Sequence, residues 1–460
     1  MKHKLLVIMT LAMFLPGLLQ AQELAGDWAG TLDTGIFKLR LVLRLSGSGN
    51  ALKAELQSPD QSEMFMAADS VKVEGSALDV VWSPIHAEFK ATLDKSGQVL
   101  DGNWTQGPLA KALTLQRRNA GEVATGPKRP QNPAKPYPYK EEEVSFFSPK
   151  AGINLSGTLT LPTGKGPFPA VVLIPGSGPH DRDESLFGHK PFLVLADALT
   201  RQGIAVLRYD DRGVGRSQGN FATATTFSLA DDAEAALEYL KTRPEVDMGR
   251  LGLLGHSEGG EIAPLVASRN PLAGFVVMLG GPGVKGSEIV VEQTRLLTAA
   301  AGATADQANS AADSERQMLD AVMQGKSAGD LALLLVKLAG SGVTLEQAKT
   351  AVEQLSSPWF RSFIAYDPAP VLRKVNVPVL ALFGSKDLQV PAAQNMVPVR
   401  KALADGGNTV SEVTEIAGVN HLFQHSQTGS LQEYGQIEET MAPEVMNKIS
   451  AWILAREGRR

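Results

Sequence analysis

No cysteine occurs among the 460 residues. That one absence removes thiol nucleophiles, thiolate metal sites, disulfides and a lipid-bearing cysteine at a processed N-terminus. An excess of positive charge is also missing, since 44 Lys and Arg stand against 49 Asp and Glu for a formal net charge of -5. With no basic stripe to meet phosphates, a nucleic-acid partner is not expected. After the first two dozen residues no apolar run is long enough to span a bilayer, so no stable membrane insertion of the mature chain is expected. Neither a cofactor nor a metal is expected, and the sequence gives no oligomeric state.

What is present fits a soluble globular protein: 43% hydrophobic and 20% charged residues. The length exceeds one ordinary core and favours two domains. Met1-Lys-His-Lys4 precedes an apolar stretch broken by Pro16-Gly17 and closed by Gln20-Ala21-Gln22. A short basic region, an apolar run and a small residue before a polar one spell a cleavable secretory signal over 1–21, cut after Ala21. The mature protein is accordingly expected in a bacterial periplasm or outside the cell, where a cysteine-free chain has no thiol to mispair.

From 22 to 118 the pattern is β throughout. Phe37-Lys-Leu-Arg-Leu-Val-Leu-Arg-Leu alternates apolar and basic residues, and Gly and Asp-Lys-Ser-Gly punctuate the runs. A small antiparallel barrel or sandwich is expected. Its paired phrases, Leu24-Ala-Gly-Asp-Trp28 and Leu100-Asp-Gly-Asn-Trp104, resemble the Gly-x-Trp openings of lipocalin-like strands, with each tryptophan plugging a barrel end. His86 reads as a packed or surface histidine. Residues 119–140 carry Pro127, Pro130, Pro133, Pro136 and Pro138 among Gly, Lys and Asn, and read as an extended linker.

Strands and helices alternate over 141–460. Val144-Ser-Phe-Phe and Leu155-Ser-Gly-Thr-Leu-Thr-Leu open as a hairpin, and apolar runs follow at Ala170–Ile174, Ile204–Tyr209, Gly274–Leu279 and Val377–Phe383. The intervening helical patterns, one of them starting at Ser228 as its cap, imply a mostly parallel sheet with helices on both faces. Ligands in such a sheet sit at the carboxyl ends of its strands. Between about 286 and 366 only Ala- and Leu-rich amphipathic helices remain, and an insertion there is expected to lie over the strand ends as a lid.

The chemistry centres on Leu251-Gly-Leu-Leu-Gly255-His256-Ser257-Glu258-Gly259-Gly260. A buried strand ends, a helix begins, and G-x-S-x-G fills the turn. So tight a turn strains the serine and leaves no room for side chains at Gly255 and Gly259. A serine hydroxyl is almost never ionised near neutrality, so Ser257 requires a base, and the base requires an acid to orient it. His421, in Ile416-Ala-Gly-Val-Asn-His, stands just past what reads as an apolar strand and ahead of the last helix. The rivals are His425, in a polar stretch, and His256, which is expected to point away from the elbow. Asp387 follows the Val377 strand in Gly384-Ser-Lys-Asp; its alternative role is to bond local turn amides. The order Ser257, Asp387, His421 is one that this elbow takes. The oxyanion is assigned to the backbone amides of Glu258 and Ser177, the latter in Ile174-Pro-Gly176-Ser177-Gly178. The Glu258 carboxylate serves either the helix N-terminus or the substrate. Tyr209-Asp-Asp-Arg-Gly-Val-Gly-Arg-Ser217 reads as an Arg–Asp brace for the loops.

Taken in order, Pro-Gly-Ser-Gly-Pro after a strand, Tyr-Asp-Asp-Arg-Gly-Val-Gly-Arg-Ser, Gly-His-Ser-Glu-Gly-Gly, Gly-Ser-Lys-Asp and Asn-His resemble the α/β-hydrolase family from about Val144 to Arg456. The combination looks like the secreted bacterial carboxylesterases of its serine aminopeptidase-like branch. That resemblance implies an acyl-enzyme at Ser257, a metal-free mechanism and small ester substrates. Pro175 departs from it, since many esterases carry histidine there, and the N-terminal β domain lies outside the pattern. Two other readings stay open. One is a peptidase using the same triad, for which no acidic anchor for a substrate amino terminus is identifiable; the other is a ligand-binding protein with an idle hydrolase domain.

Overall fold

A computed structural model describes residues 24–34, 38–48, 51–61, 65–107, 109–118 and 127–456. The expected signal over 1–21 and the first part of the linker lie outside them. The chain divides into two compact units, Met1–Thr34 with Lys38–Ala124, and Thr125–Arg460 together with Gly35–Phe37.

The first unit is one nine-stranded antiparallel sheet: β1 (Gly26–Asp33), β2 (Lys38–Ser46), β3 (Lys53–Gln57), β4 (Met66–Ala67), β5 (Ser70–Glu74), β6 (Ala77–Trp82), β7 (Ala87–Leu93), β8 (Val99–Gln106) and β9 (Leu109–Arg117). The order is β4-β3-β2-β1-β9-β8-β7-β6-β5, so pairing of β1 with both β2 and β9 rolls the meander, and β4 and β5 remain as its edges. It is therefore a single half-closed barrel. Alternation sends Leu41, Leu43 and Leu45 inward, where they meet Trp28, Trp82 and Trp104. The Trp28 indole donates to the Leu24 carbonyl at 2.9 Å, and Trp104 packs on Trp82 with ring centroids 5.7 Å apart. His86 is exposed, with a left-handed backbone (φ 49°).

The second unit begins before the expected boundary. Residues 127–139 are no free linker. The Arg129 guanidinium donates to the carbonyls of Ile437, Phe187 and Gly435 at 2.6–2.9 Å, and Gln131 Nε2 donates to that of Met441 at 2.7 Å. Proline forbids ladder bonds but leaves side chains free to bond elsewhere, and here they strap the segment onto the rest of the second unit.

An eight-stranded sheet follows: β10 (Lys140–Ser148), β11 (Ile153–Leu161), β12 (Phe168–Ile174), β13 (Ala205–Tyr209), β14 (Val246–His256), β15 (Phe275–Leu279), β16 (Val379–Gly384) and β17 (Glu412–Ile416), in the order β10-β11-β13-β12-β14-β15-β16-β17. The β10–β11 hairpin is antiparallel and meets β13 antiparallel; from β13 to β17 every pairing is parallel. Between them come helices α1 (Pro191–Arg201), α2 (Thr226–Lys241), α3 (Gly259–Ala267), α4 (Gly286–Ala300), α5 (Ala305–Met323), α6 (Ala328–Ala339), α7 (Leu345–Leu355), α8 (Pro358–Ala365), α9 (Ala369–Leu372), α10 (Ala392–Asp405), α11 (Leu431–Tyr434) and α12 (Pro443–Leu454). The period-2 alternation of β12 explains why its sequence is apolar throughout. Ala170, Val172 and Ile174 face the core under α2, α3 and α10, while Val171 and Leu173 face the core under α1 and α12. Helices α4 to α9 form the insertion after β15, and a separate small core of Met318, Leu319, Leu331, Val352 and Ile364 holds it together.

Two local expectations need correction. Helix α2 is capped by Thr225, whose side chain accepts the Ser228 amide while Ser228 accepts the Thr225 amide; Ser228 is the third residue of the helix, not its cap. The strand before His421 reads Glu-Val-Thr-Glu-Ile rather than apolar, because β17 is an edge strand that pairs only with β16.

Candidate active site

Ser257 follows the last residue of β14, at the carboxyl end of the parallel strands, with φ at +54°. The distances make the glycine requirement concrete. A Cβ at Gly255 would lie 1.8 Å from the Gly259 carbonyl oxygen, and one at Gly259 would lie 2.1 Å from that of Ile174. No side chain fits either position. The strained turn is held by the Ser257 amide donating to Leu279 of β15 at 2.8 Å and by the Gly260 amide donating back to Ser257.

His421 and Asp387 come together at the ends of the next strands. The ring Nδ1 of His421 is 2.7 Å from Oδ2 of Asp387, and both side chains are buried. Asp387 also accepts the amides of Gln389 and Val390 on Oδ1, each at 2.8 Å, so the turn role and the histidine role are filled by its two oxygens at once. With Nδ1–H donated to a carboxylate, Nε2 is left as the basic nitrogen. Gly280 leaves room for the pair: a Cβ there would stand 3.3 Å from Asp387 Oδ2 and from the His421 ring. Ser257 and His421 line one cavity of about 400 Å³.

Ser177 lines the same cavity. Among the described residues, neither its backbone amide nor that of Glu258 forms a hydrogen bond. Two unspent donors beside a strand-end serine are what a developing oxyanion needs. The Glu258 carboxylate is fully buried and accepts from Thr226 Oγ1 and from the Trp359 indole, each at 2.8 Å. Burial raises its pKa against those two bonds and the neighbouring Ser177 side chain. It thus joins the elbow, α2 and α8 of the insertion, a third role beyond the two open in the sequence.

The brace also takes form, with partners from elsewhere in the chain. Arg182 pairs with Asp210 at 2.7 Å, Arg212 with Asp232 at 2.7 Å, and Asp211 accepts the His180 amide at 2.9 Å. His425 lies apart, between Glu439 and Glu444. His256 does not point idly away. It is buried between Glu184 and the backbone of His421. Glu184 went unnoticed in the sequence, where its trace is the charged run Asp181-Arg-Asp-Glu184 just after a strand. The aromatic wall of the cavity, Trp359, Phe360 and Phe363 on α8, was equally silent, since its pattern is that of any amphipathic helix. Among the described residues no cluster of three or more His, Asp or Glu is arranged to hold a metal ion.

Residues 189–332 match the family model described as serine aminopeptidase, S33. Esterase EstD of Thermotoga maritima is 25% identical over 409 residues, covering 86% of this chain and 91% of that protein. Residues 119–460 are under three-quarters of the chain, so the match extends into the N-terminal domain, which the sequence reading had left outside. The thiohydrolase apmlB of Arthrinium phaeospermum is 34% identical over 137 residues, 30% of this chain and 41% of that one. An esterase structure from Pyrococcus furiosus is 13% identical, with a TM-score of 0.43 over 73% of this chain and all of that one. A left-handed serine between a parallel strand and a helix, inside a segment that the family model matches and within a chain that aligns with EstD over most of its length, supports the α/β-hydrolase superfamily for this protein.

Proposed function

We propose that the protein is a carboxylic ester hydrolase working through an acyl-enzyme on Ser257. The observation that carries the reading is the buried Asp387–His421 pair opening onto the cavity that holds the strained serine. His421 Nε2 takes the proton as the Ser257 hydroxyl attacks the ester carbonyl, and Asp387 stabilises the imidazolium. The negative charge on the carbonyl oxygen is met by the Ser177 and Glu258 amides. The imidazolium then protonates the leaving alcohol, and water, activated by the same histidine, releases the acid. Ile289 and Val290 of α4 and the aromatics of α8 make the cavity wall apolar, which suits a short hydrophobic acyl group, with the helical insertion as its lid. The substrate is a small molecule.

The name of the family model raises a peptidase as the rival, but the one acidic residue lining the cavity, Glu184, is already engaged by His256. Its charge is met by that imidazole, so no uncompensated carboxylate lines the cavity among the described residues. The reading includes export to the periplasm, supported by the sequence of residues 1–21, and N-terminal sequencing of the mature protein tests it. For the chemistry, Ser257→Ala is expected to lower turnover of a short-chain aryl ester by several orders of magnitude and to abolish labelling by a fluorophosphonate. Asp387→Asn is expected to cost about 10³ to 10⁴-fold. Near-normal hydrolysis by the serine variant defeats the assignment.

A further inference from the structure

Behind Ser257 lies a second carboxylate–imidazole contact that the reaction above does not use. Glu184, in the loop after β12, accepts the Gly176 amide on Oε1 at 2.8 Å, and the same oxygen is 2.9 Å from Nδ1 of His256. The far nitrogen of that ring, Nε2, is 2.9 Å from the backbone carbonyl of His421. A carbonyl only accepts, so Nε2 carries a hydrogen; a carboxylate also accepts, so Nδ1 carries one too. The bridging ring is an imidazolium. Burial works against both charges, yet their mutual attraction leaves Glu184 below and His256 above the ordinary range, with His180 and Asp387 adding to the effect.

Two features of this arrangement cost stability. Glu184 is a non-glycine residue at φ +52°, it is 3% exposed, and its Oε2 is buried without a partner among the described residues. A left-handed backbone and an orphaned carboxylate oxygen both cost free energy and call for another explanation. The two ends of the bridge supply one. Gly176 precedes Ser177, whose amide is the oxyanion donor, and a Cβ on Gly176 would lie 3.1 Å from the Cβ of Ser257. The other end is the backbone of the catalytic base.

We propose that Glu184 and His256 are a positioning pair for acyl transfer, fixing the distance between the loop that presents the Ser177 amide and the loop that presents His421. The proposal rests on the esterase reading. Neither side chain needs to touch the reacting atoms. Donors aimed at a developing oxyanion act only in the transition state, so loss of the bridge lowers kcat and leaves KM nearly unchanged.

The test uses full-length variants, with p-nitrophenyl butyrate turnover and the rate of fluorophosphonate labelling at Ser257 as readouts. Glu184→Ala is expected to lower kcat about 10²-fold, with KM within about threefold and labelling slowed in parallel. Glu184→Gln is expected to recover part of the loss, since an amide oxygen in the place of Oε1 still accepts from the Gly176 amide and from Nδ1–H of His256. His256→Phe, which keeps the ring and loses both bonds, is expected to match Glu184→Ala, and the double variant to be no worse than the more damaging single one. If Glu184→Ala does not fold, His256→Phe decides. A folded Glu184→Ala or His256→Phe with wild-type kcat, or a loss expressed in KM, overturns the pair. Wild-type protein that resists labelling at Ser257 refutes the esterase reading itself; a labelled wild type with equally fast Glu184→Ala refutes the pair alone.

Discussion

His189 shows at the residue scale how the catalytic loops depend on pH. It is fully buried, with Nδ1 2.8 Å from Thr440 Oγ1 and Nε2 3.0 Å from the Tyr434 carbonyl, in the segment that follows His421. Burial, then the nearby charge of Arg129, pushes its pKa from 6.5 down to about 4. The folded state therefore holds this ring neutral while the unfolded chain takes up a proton first. Its contribution to stability is complete above pH 6.5 and falls by up to about 1.4 kcal/mol per unit as pH drops toward 4. Urea unfolding at pH 7, 6 and 5 is expected to show that slope in the native protein and a shallower one in His189→Gln. The strained turn at Ser257 and the contact between Asp387 and His421 could be anticipated because each residue sits in a short pattern at a strand end. Glu184, Trp359 and His256 were not, since their roles exist only through partners far away in the chain.

At the scale of elements, the strap is the instructive case. Five prolines account for the absence of helix and strand over the described residues 127–139, but they say nothing about what Arg129 and Gln131 will reach. Arg129 supplies donors to three carbonyls in two loops, those of Phe187 and of Gly435 with Ile437. Removing them strands partly buried acceptors, each worth about 1–3 kcal/mol when unmet. Arg129→Ala is expected to lower the melting temperature by several degrees, as thermal unfolding followed by circular dichroism will read; an unchanged melt would mean water replaces the guanidinium without loss. The strands were legible because both faces of the parallel sheet are covered, which writes continuous apolar runs into β12, β15 and β16. The edge strand β17 was not, having a partner on one side only. The cap of α2 was missed by three residues because Thr225 and Ser228 are reciprocal and either can pass for the cap.

For the whole molecule, the two units carry separate cores, one around Trp28, Trp82 and Trp104 and the others around the eight-stranded sheet. A fragment starting at Pro127 is expected to fold and to hydrolyse short esters at a rate within a few-fold of the full chain. One starting at Glu141 lacks the strap and is expected to melt lower. Turnover and melting of the two fragments, side by side, check both statements, and an inactive but folded Pro127 fragment would assign the N-terminal domain a part in catalysis. Barrel and sandwich could not be told apart in the sequence, because alternation reports that a strand has one buried face and not which strand closes the roll.

The buried carboxylate of Glu258, the residue after Ser257, is bonded to the indole of Trp359 in the cavity wall. If the proposed lid lifts, that bond is lost one residue from Ser257, so opening the cavity would disturb the backbone next to the serine. An oversized ester that props the lid open would still be held, yet it would meet a nucleophile whose surroundings had lost an anchor.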